Sequence, residues 1–336
     1  MDAIDDLIEK LKRSPLFYLF LSSRELFHSN FWFWLSTINK TETLKLFTGE
    51  IPTAEIESVQ REVNKKVGID KSKVDLLFTL SDGRQILIEN KVKDFPTMSQ
   101  LSRIQRSCGS EDVDFILVSL FPTTNQRFDG WKVISYEQLS QVIDSRDFTD
   151  NTFHIELINE YKIFISDLSE LIRQLPFTDS YDFGLSHSAD LFRKLNVVKL
   201  WEGYQKLRAS FIVQKFNSPN NPIIADYSLN NKKATLHFPV KLDDDYEIGI
   251  QIEDNQFRKF VQGPNAHIFA ENLLKKGLFF DVKIVNRGKE ILSYGNYFKY
   301  RHTKIGPITN NDLFKKIEHE FEMIRLKWDS ILQQIP

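Results

Sequence analysis

Residues 86–91, Ile86-Leu87-Ile88-Glu89-Asn90-Lys91, form an apolar run that ends in a carboxylate, an amide and an ammonium group. The three apolar residues are typical of a buried β-strand. Because side chains alternate along a strand, Glu89 and Lys91 lie on the same face. A preceding strand, predicted at residues 74–80, carries one aspartate, Asp75. The sequence therefore places two carboxylates and a lysine on neighbouring strands.

The turn between these strands decides whether the two carboxylates meet. Its residues are Ser81-Asp82-Gly83. A three-residue loop, with Gly83 in the left-handed conformation of a bulge, sets Asp75 opposite Glu89 with Cβ atoms about 5 Å apart. A two-residue turn instead pairs Asp75 with Asn90 and moves Glu89 to the other face. A shared site therefore requires the longer loop or a strand irregularity.

Composition is that of an ordinary globular protein. The chain has 336 residues, of which 41% are apolar and 27% charged, and this length predicts about two domains. The single cysteine, Cys108, excludes an intramolecular disulfide and fits a reducing compartment. The acidic N-terminus lacks the apolar segment of a secretory signal, and the most apolar stretch, residues 31–35, is too short to span a bilayer. We expect a cytoplasmic protein without a membrane partner.

Charge is distributed unevenly along the chain. Residues 1–180 contain 21 basic and 28 acidic residues, whereas residues 181–336 contain 23 basic and 18 acidic residues. An acidic half with clustered carboxylates and a mildly basic half fit a division between metal chemistry and phosphate binding. The same small basic excess is also common in proteins that bind no nucleic acid.

Hydrophobic periodicity predicts two domains, at residues 1–178 and 186–336, with a linker between them. The first has the order helix, three-stranded meander, helix, strand, strand, helices, which predicts an α/β core with a mixed sheet. The second is predicted to be α+β with an antiparallel sheet; a strand is predicted at residues 279–285, and a C-terminal helix that begins at the capping segment 309–312. Strands are predicted in the first domain at residues 57–67, 74–80, 85–92, 114–120 and 131–135.

The motif consists of Asp75, thirteen intervening residues, and then Glu89-Asn90-Lys91 after an apolar strand. It resembles the motif of the PD-(D/E)XK phosphodiesterase superfamily, which comprises restriction-like nucleases, repair nucleases and defence enzymes. The resemblance covers about residues 20–135 and includes the predicted element order. Val74 stands where the eponymous proline would lie. The resemblance implies a restriction-endonuclease-like core, in which helices flank a mixed central sheet. The following α+β domain would then serve substrate selection or assembly.

The carboxylates and the lysine suit metal-dependent phosphodiester hydrolysis. Mg²⁺ takes about six oxygen ligands, of which one or two are usually carboxylates. Asp75, Glu89 and the main-chain carbonyl of Asn90 are the predicted ligands, and Mn²⁺ would substitute for Mg²⁺. Lys91 would stabilise the attacking hydroxide or the phosphorane oxygens.

Two further residues are candidate site residues. Glu25 is a candidate second-metal ligand or water-orienting residue on the preceding helix. Its structural alternative is a capping box that begins at Ser22, in which Glu25 caps its own helix. Gln100 lies on the following helix, where some branches of the family place a glutamine, and its catalytic role is implied by the resemblance alone. His28 is expected to be a structural hydrogen-bonding residue rather than a general base.

The second domain contains one candidate nucleic-acid patch. Lys299, Tyr300 and Arg301 lie in a segment that interleaves aromatic and basic side chains, which can stack on bases and neutralise phosphates. The alternative is an ordinary edge strand with alternating faces.

Together these features predict an Mg²⁺-dependent nuclease acting on DNA, and the resemblance implies a setting in bacterial antiphage defence or DNA processing. Two alternatives stay open: an RNA-directed nuclease, and a catalytically silent module that binds nucleic acid or assembles. Cleavage of both strands of a duplex would call for a homodimer, because one such site cuts one strand.

Overall fold

The chain folds into two compact units. A computed structural model describes residues 2–23, 25–92, 98–109, 112–121, 128–174, 180–181, 192, 195, 198–216, 225–230, 233–253, 256–280, 292–294, 298–305 and 308–336. The first unit contains Met1–Pro176 and Ser188–Tyr204, and the second contains Phe177–His187 and Gln205–Pro336. Within the described ranges, no helix combines the length and the apolar character needed to cross a membrane.

The first unit is built on a five-stranded mixed sheet in the order β1-β2-β3-β4-β5. β1, β2 and β3 form an antiparallel meander, and β3, β4 and β5 run parallel to one another. This arrangement confirms the mixed α/β architecture predicted from the sequence. The strands are β1 (Ile56–Val67), β2 (Asp70–Leu80), β3 (Gln85–Lys91), β4 (Val113–Ser119) and β5 (Trp131–Ser135).

Eight helices of the described ranges accompany this sheet. One of them, at residues 40–48, was not predicted, because the sequence there lacks a strong apolar stripe. Asn39 begins it by accepting a hydrogen bond from the Glu42 backbone amide, and Gly49, at φ +84°, ends it. The helices are α1 (Asp2–Arg13), α2 (Pro15–Ser23), α3 (Glu25–Ile38), α4 (Lys40–Thr48), α5 (Met98–Cys108), α6 (Tyr136–Val142), α7 (Ser145–Phe148) and α8 (Thr152–Gln174).

Helices cover both faces of this sheet. On one face, Leu101 and Ile104 of α5 pack against a buried cluster that includes Leu87 of β3 and Leu117 of β4. On the other face lies α3, whose first backbone carbonyl accepts a hydrogen bond from the side chain of Asn90. Because β3 alternates between these faces, Glu89 and Lys91 lie on the α5 side.

The second unit has a six-stranded antiparallel sheet in the order β11-β12-β10-β9-β8-β7, and a two-stranded sheet of β6 and β13. Its strands are β6 (Ser180–Tyr181), β7 (Asp226–Asn230), β8 (Lys233–Lys241), β9 (Glu247–Glu253), β10 (Gln256–Gln262), β11 (Leu292–Tyr294), β12 (Phe298–Lys304) and β13 (Ile308–Thr309). The remaining helices are α9 (Val198–Phe216), which the division between units crosses, α10 (Ala266–Lys275), α11 (Asn310–Leu326) and α12 (Trp328–Leu332).

Two sequence expectations for this unit can be compared with the structure, and one of its strands was not predicted. Thr309 caps α11 by accepting a hydrogen bond from the Asp312 backbone amide, which confirms the predicted helix start. Strand β10 was not predicted, because Gln256–Gln262 mixes charged and apolar residues without clear alternation. A strand was expected at residues 279–285, but Phe279 and Phe280 lie outside any strand, and the rest falls outside the described residues.

Candidate active site

The turn between β2 and β3 is the three-residue loop that the site requires. Gly83 has φ +88°, its backbone amide donates to the Leu80 carbonyl at 3.0 Å, and the Leu80 amide donates to Arg84 at 2.9 Å. In the resulting register Leu76 pairs with Ile88. The predicted register is therefore confirmed, and the next positions along the strands are Asp75 and Glu89.

The β2–β3 ladder stops at this point, and the carboxylate of Asp75 takes the place of a backbone acceptor. Asp75 Oδ2 accepts a hydrogen bond from the Asn90 backbone amide at 2.7 Å. On the other side of β2, Glu62 has φ +56°, a strained backbone conformation for a residue other than glycine. Its side chain pairs with Lys73.

Glu89 and Lys91 form a buried ion pair at the end of β3. The distance between Glu89 Oε1 and Lys91 Nζ is 2.8 Å, and the two residues are 4% and 7% exposed. The other carboxylate oxygen, Glu89 Oε2, is buried and has no hydrogen-bond partner among the described residues. Buried carboxylates normally have all their oxygens satisfied, so this atom has an unused capacity to accept a ligand.

Among the described residues, carboxylates outnumber cations around this pair, and the pKa values of the three site residues are shifted. Burial, reinforced by the charge of Glu89, raises the pKa of Asp75 to about 8. Burial also raises the pKa of Glu89, against the opposing effect of Lys91. For Lys91, burial lowers the pKa, but the carboxylates of Glu89 and Glu25 outweigh it and raise the pKa overall. The site therefore has an electrostatic preference for an additional cation.

Asn90 links four elements around the site. Besides its backbone contact with Asp75, its side-chain Nδ2 donates to the Glu25 carbonyl of α3 at 3.0 Å. Its Oδ1 accepts from the hydroxyl of Tyr136, in α6, at 2.6 Å. Asn90 is 1% exposed, so these contacts lie in a dry environment where they are strong. Tyr136 was not a predicted site residue, because its contact with Asn90 spans 46 positions of sequence.

His28 lies beneath this network in an aromatic environment. Its Nδ1 is 2.9 Å from the hydroxyl of Tyr161, and its ring centroid is 4.8 Å from that of Tyr136. Burial lowers the pKa of His28 to about 3, so its imidazole is neutral at physiological pH. This environment fits the structural role expected for His28.

Glu25 is the first residue of α3. Helix α2 extends to Ser23, whereas the side chain of Ser22 and residue Arg24 lie outside the described residues, so the predicted capping box from Ser22 to Glu25 stays a prediction. The charge of Glu25 acts on Asp75, Glu89 and Lys91 and is therefore part of the site's electrostatics. Its role as a metal ligand stays a prediction.

Gln100 lies in the first turn of α5, on the same side of the sheet as Glu89 and Lys91, and its catalytic role stays a prediction. In the second unit, β12 pairs with β10 on one side and β11 on the other, so this segment is not an edge strand. Lys299 pairs with Val261, and Tyr300 with Phe260. The side chains of Tyr300 and Arg301 lie outside the described residues, so the predicted patch stays a prediction.

The donor set can be compared with the needs of Mg²⁺. In the part of the chain that the structure describes, no group of three or more His, Cys, Asp and Glu side chains is arranged to hold a metal ion. Mg²⁺ sites usually retain several waters and use only one or two carboxylates. The unpartnered Glu89 Oε2 and the carboxylate of Asp75 are hard oxygen donors, which fit such a partly hydrated ion.

Comparison of the chain with protein-family models, curated proteins and solved structures yields no match.

Proposed function

We propose that the first unit is a metal-dependent phosphodiesterase with a restriction-endonuclease-like core that hydrolyses nucleic acid, with DNA as the expected substrate. The observation that carries this proposal is the buried Glu89–Lys91 ion pair, 2.8 Å long, beside a second carboxylate, Asp75. One carboxylate suffices for a structural ion pair with lysine. Additional half-buried carboxylates repel each other and raise the folding cost, so their presence favours a role in binding a cation.

Each residue has a distinct role in this proposal. Asp75, Glu89 and the main-chain carbonyl of Asn90 would hold Mg²⁺ or Mn²⁺. The bound metal lowers the pKa of water and neutralises charge on the phosphate. Lys91 has three N–H donors, and those not used by Glu89 would stabilise the negative charge that develops on the phosphate oxygens. We assign Glu25 and Gln100 to orienting the attacking water and the substrate.

The test is cleavage by the full chain of supercoiled plasmid, linear duplex, single-stranded DNA and RNA, in Mg²⁺ and in Mn²⁺. Asp75→Ala and Lys91→Ala should each lower the cleavage rate at least about 10²-fold, the usual cost of removing one electrostatic contributor. Lys259→Ala provides a matched control, because Lys259 also forms a partly buried ion pair, 2.6 Å from Glu320. Its rate should equal that of the unmodified protein.

The outcomes separate the candidate functions. Cleavage of RNA alone would change the substrate class and leave the metal chemistry in place. An inert protein in both metals, or equal cleavage by Asp75→Ala, would reject the enzyme. A silent binding module would further show no carboxylate-dependent uptake of Mg²⁺ by calorimetry. Nicked circles preceding linear plasmid would indicate independent sites, whereas direct linear product would indicate the proposed dimer.

A further inference from the structure

The tip of the β1–β2 hairpin presents an apolar side chain to solvent. Val67 pairs with Asp70, which leaves Gly68 and Ile69 as a two-residue turn. Gly68, at φ +59°, supplies the positive φ that such a turn requires at its first central position. Ile69 is 98% exposed. A β-branched apolar residue is unusual in a turn, and at this exposure it contributes nothing to the core.

Two lysines face each other directly behind this tip. Lys66 pairs with Lys71 across the two strands, and both side chains are exposed. Within the described ranges, neither forms an ion pair. Like charges directly opposite each other destabilise a β-ladder. Residues 61–73 contain five basic and two acidic residues, so the hairpin is a basic segment in an otherwise acidic half of the chain.

Polar contacts hold the other side of the hairpin on α5. The carboxylate of Asp70 accepts hydrogen bonds from the guanidinium of Arg106 at 3.0 and 3.5 Å, and the hydroxyls of Ser72 and Ser107 are in contact. Asp70 and Ser72 are half-buried, whereas Lys71 is exposed. The tip is therefore supported by the core of the unit, and its lysine pair faces away from that support.

The same strand connects the lysines to the candidate active site. Lys71 precedes Asp75 by four residues of β2, a distance of about 13 Å along a strand. One strand of a DNA duplex advances about 3.4 Å per nucleotide, so this distance corresponds to about four nucleotides. The register sets Lys91, the last residue of β3, level with Lys73, so the hairpin tip extends beyond the end of β3. A nucleic acid that lies across this end of the sheet, at Asp75 and Glu89, would have phosphates within reach of the lysine pair although the pair faces away from α5.

We propose that the tip of the β1–β2 hairpin is a docking arm for nucleic acid. Lys66 and Lys71 contact phosphates a few nucleotides from the scissile bond, and Ile69 packs against the sugars or bases, as apolar wedges do in other nucleic-acid complexes. The anionic backbone relieves the repulsion between the two lysines. The identity of the partner rests on the proposed function, because it is the substrate of the same unit.

The test measures binding of a 20-base-pair DNA duplex to the full chain in EDTA, by fluorescence anisotropy over a range of salt concentrations. Lys66→Ala/Lys71→Ala should weaken binding about tenfold near 0.1 M salt and reduce the slope of log K against log salt by about 2. Ile69→Ser should weaken binding with no change in that slope. The matched control is Lys275→Ala/Lys276→Ala, which removes two exposed lysines of the second unit and should leave binding unchanged.

Folding and alternative partners are controlled in the same series. Removing a repulsive pair should not lower the melting temperature. Weaker DNA binding by Lys66→Ala/Lys71→Ala therefore supports the arm only when its melting temperature is not below that of the unmodified protein. Equal binding by both double variants would overturn it, as would arm-dependent binding to phosphatidylserine vesicles without binding to DNA. Arm-dependent DNA binding by a protein that cleaves no substrate would reject the proposed function and keep the arm. If the arm variants cleave and bind DNA as well as the unmodified protein does, the docking arm is rejected and the proposed function is kept.

Discussion

The two units each contain an ion pair that is largely withdrawn from water, and the pairs differ in how their polar atoms are satisfied. In the second unit, Arg258 Nη1 lies 2.9 Å from Glu253 Oε2, with side chains 13% and 19% exposed. The same guanidinium donates to the side-chain oxygens of Gln251 and Gln256 at 2.7 to 3.1 Å. Among the described residues, this cation contacts one carboxylate and two neutral amides.

The pair of the first unit is not fully satisfied among the described residues. Lys91 faces Glu89 and the carboxyl groups of Asp75 and Glu25 there, and Glu89 Oε2 has no hydrogen-bond partner. Evolution for stability alone would remove the additional carboxylates, because burying uncompensated charge is expensive. The Arg258–Glu253 pair is therefore a contact that stabilises a sheet, whereas Glu89 in the first unit has a carboxylate oxygen available to a ligand.

Neutralising one carboxylate in each pair tests whether the two ion pairs have different roles, and it should have the largest effect. Glu89→Gln should lower the cleavage rate at least about 10²-fold, because it removes a proposed metal ligand, and lower the free energy of unfolding, because it leaves the buried ammonium of Lys91 without its counter-charge. Glu253→Gln should leave cleavage unchanged and lower the free energy of unfolding by about 1–3 kcal/mol, because it weakens a charged hydrogen bond. Urea unfolding and plasmid cleavage measure the two quantities. The same response in both variants would remove the distinction.

Metal addition should stabilise the first unit, because Glu89 Oε2, which has no hydrogen-bond partner among the described residues, is available to the ion. At a Mg²⁺ concentration of about 100 Kd, binding should add about 2.7 kcal/mol to the free energy of unfolding, which raises the melting temperature of the unit by roughly 5–10 °C. Thermal scans should show this rise in the unmodified protein and in Glu253→Gln, and not in Glu89→Gln. An equal rise in Glu89→Gln would place the metal elsewhere.

Local patterns were sufficient to predict the centre of the site. The apolar run before Glu89 indicates a strand, and Ser81-Asp82-Gly83 predicts a loop whose register is confirmed by the pairing of Leu76 with Ile88. These signals depend on residues that are adjacent in sequence, where alternation and turn chemistry are reliable. The order of the five strands in the first unit followed from the same kind of local pattern, whereas helix α4 and strand β10 did not.

Contacts between distant residues were beyond such patterns. The bond from Tyr136 to Asn90 depends on how α6 packs against the sheet, and no property of either residue alone indicates it. The lysine pair of the hairpin was also not predicted, because it depends on the two-residue turn at Gly68, which sets Lys66 opposite Lys71. Tertiary packing and register decide these contacts, and single-sequence propensities do not contain that information.

Tyr136 tests whether the network around Asn90 positions the site. Tyr136→Phe leaves Asn90 Oδ1 buried without this donor, which should lower the free energy of unfolding by about 1–3 kcal/mol and raise the Mg²⁺ concentration needed for half-maximal cleavage. Tyr161→Phe is the matched control, because it removes a buried hydroxyl that contacts His28 instead. It should lower stability and leave the Mg²⁺ requirement unchanged. An equal shift in both variants would indicate a structural role only.

The smallest expected effect is a dependence of stability on pH. Because the pKa of Asp75 rises from 3.8 to about 8 in the folded state, the folded protein binds more protons between these values, and its stability falls as pH rises. Neutral His28, with a folded pKa of about 3, has the opposite effect, but that effect is complete above pH 6.5. Between pH 6.5 and 8 in EDTA, the free energy of unfolding should therefore decrease by at most about 1.4 kcal/mol per pH unit through Asp75. Asp75→Asn should flatten this decrease, whereas Glu253→Gln should retain it, and parallel profiles for all three proteins would show that Asp75 carries no proton at neutral pH.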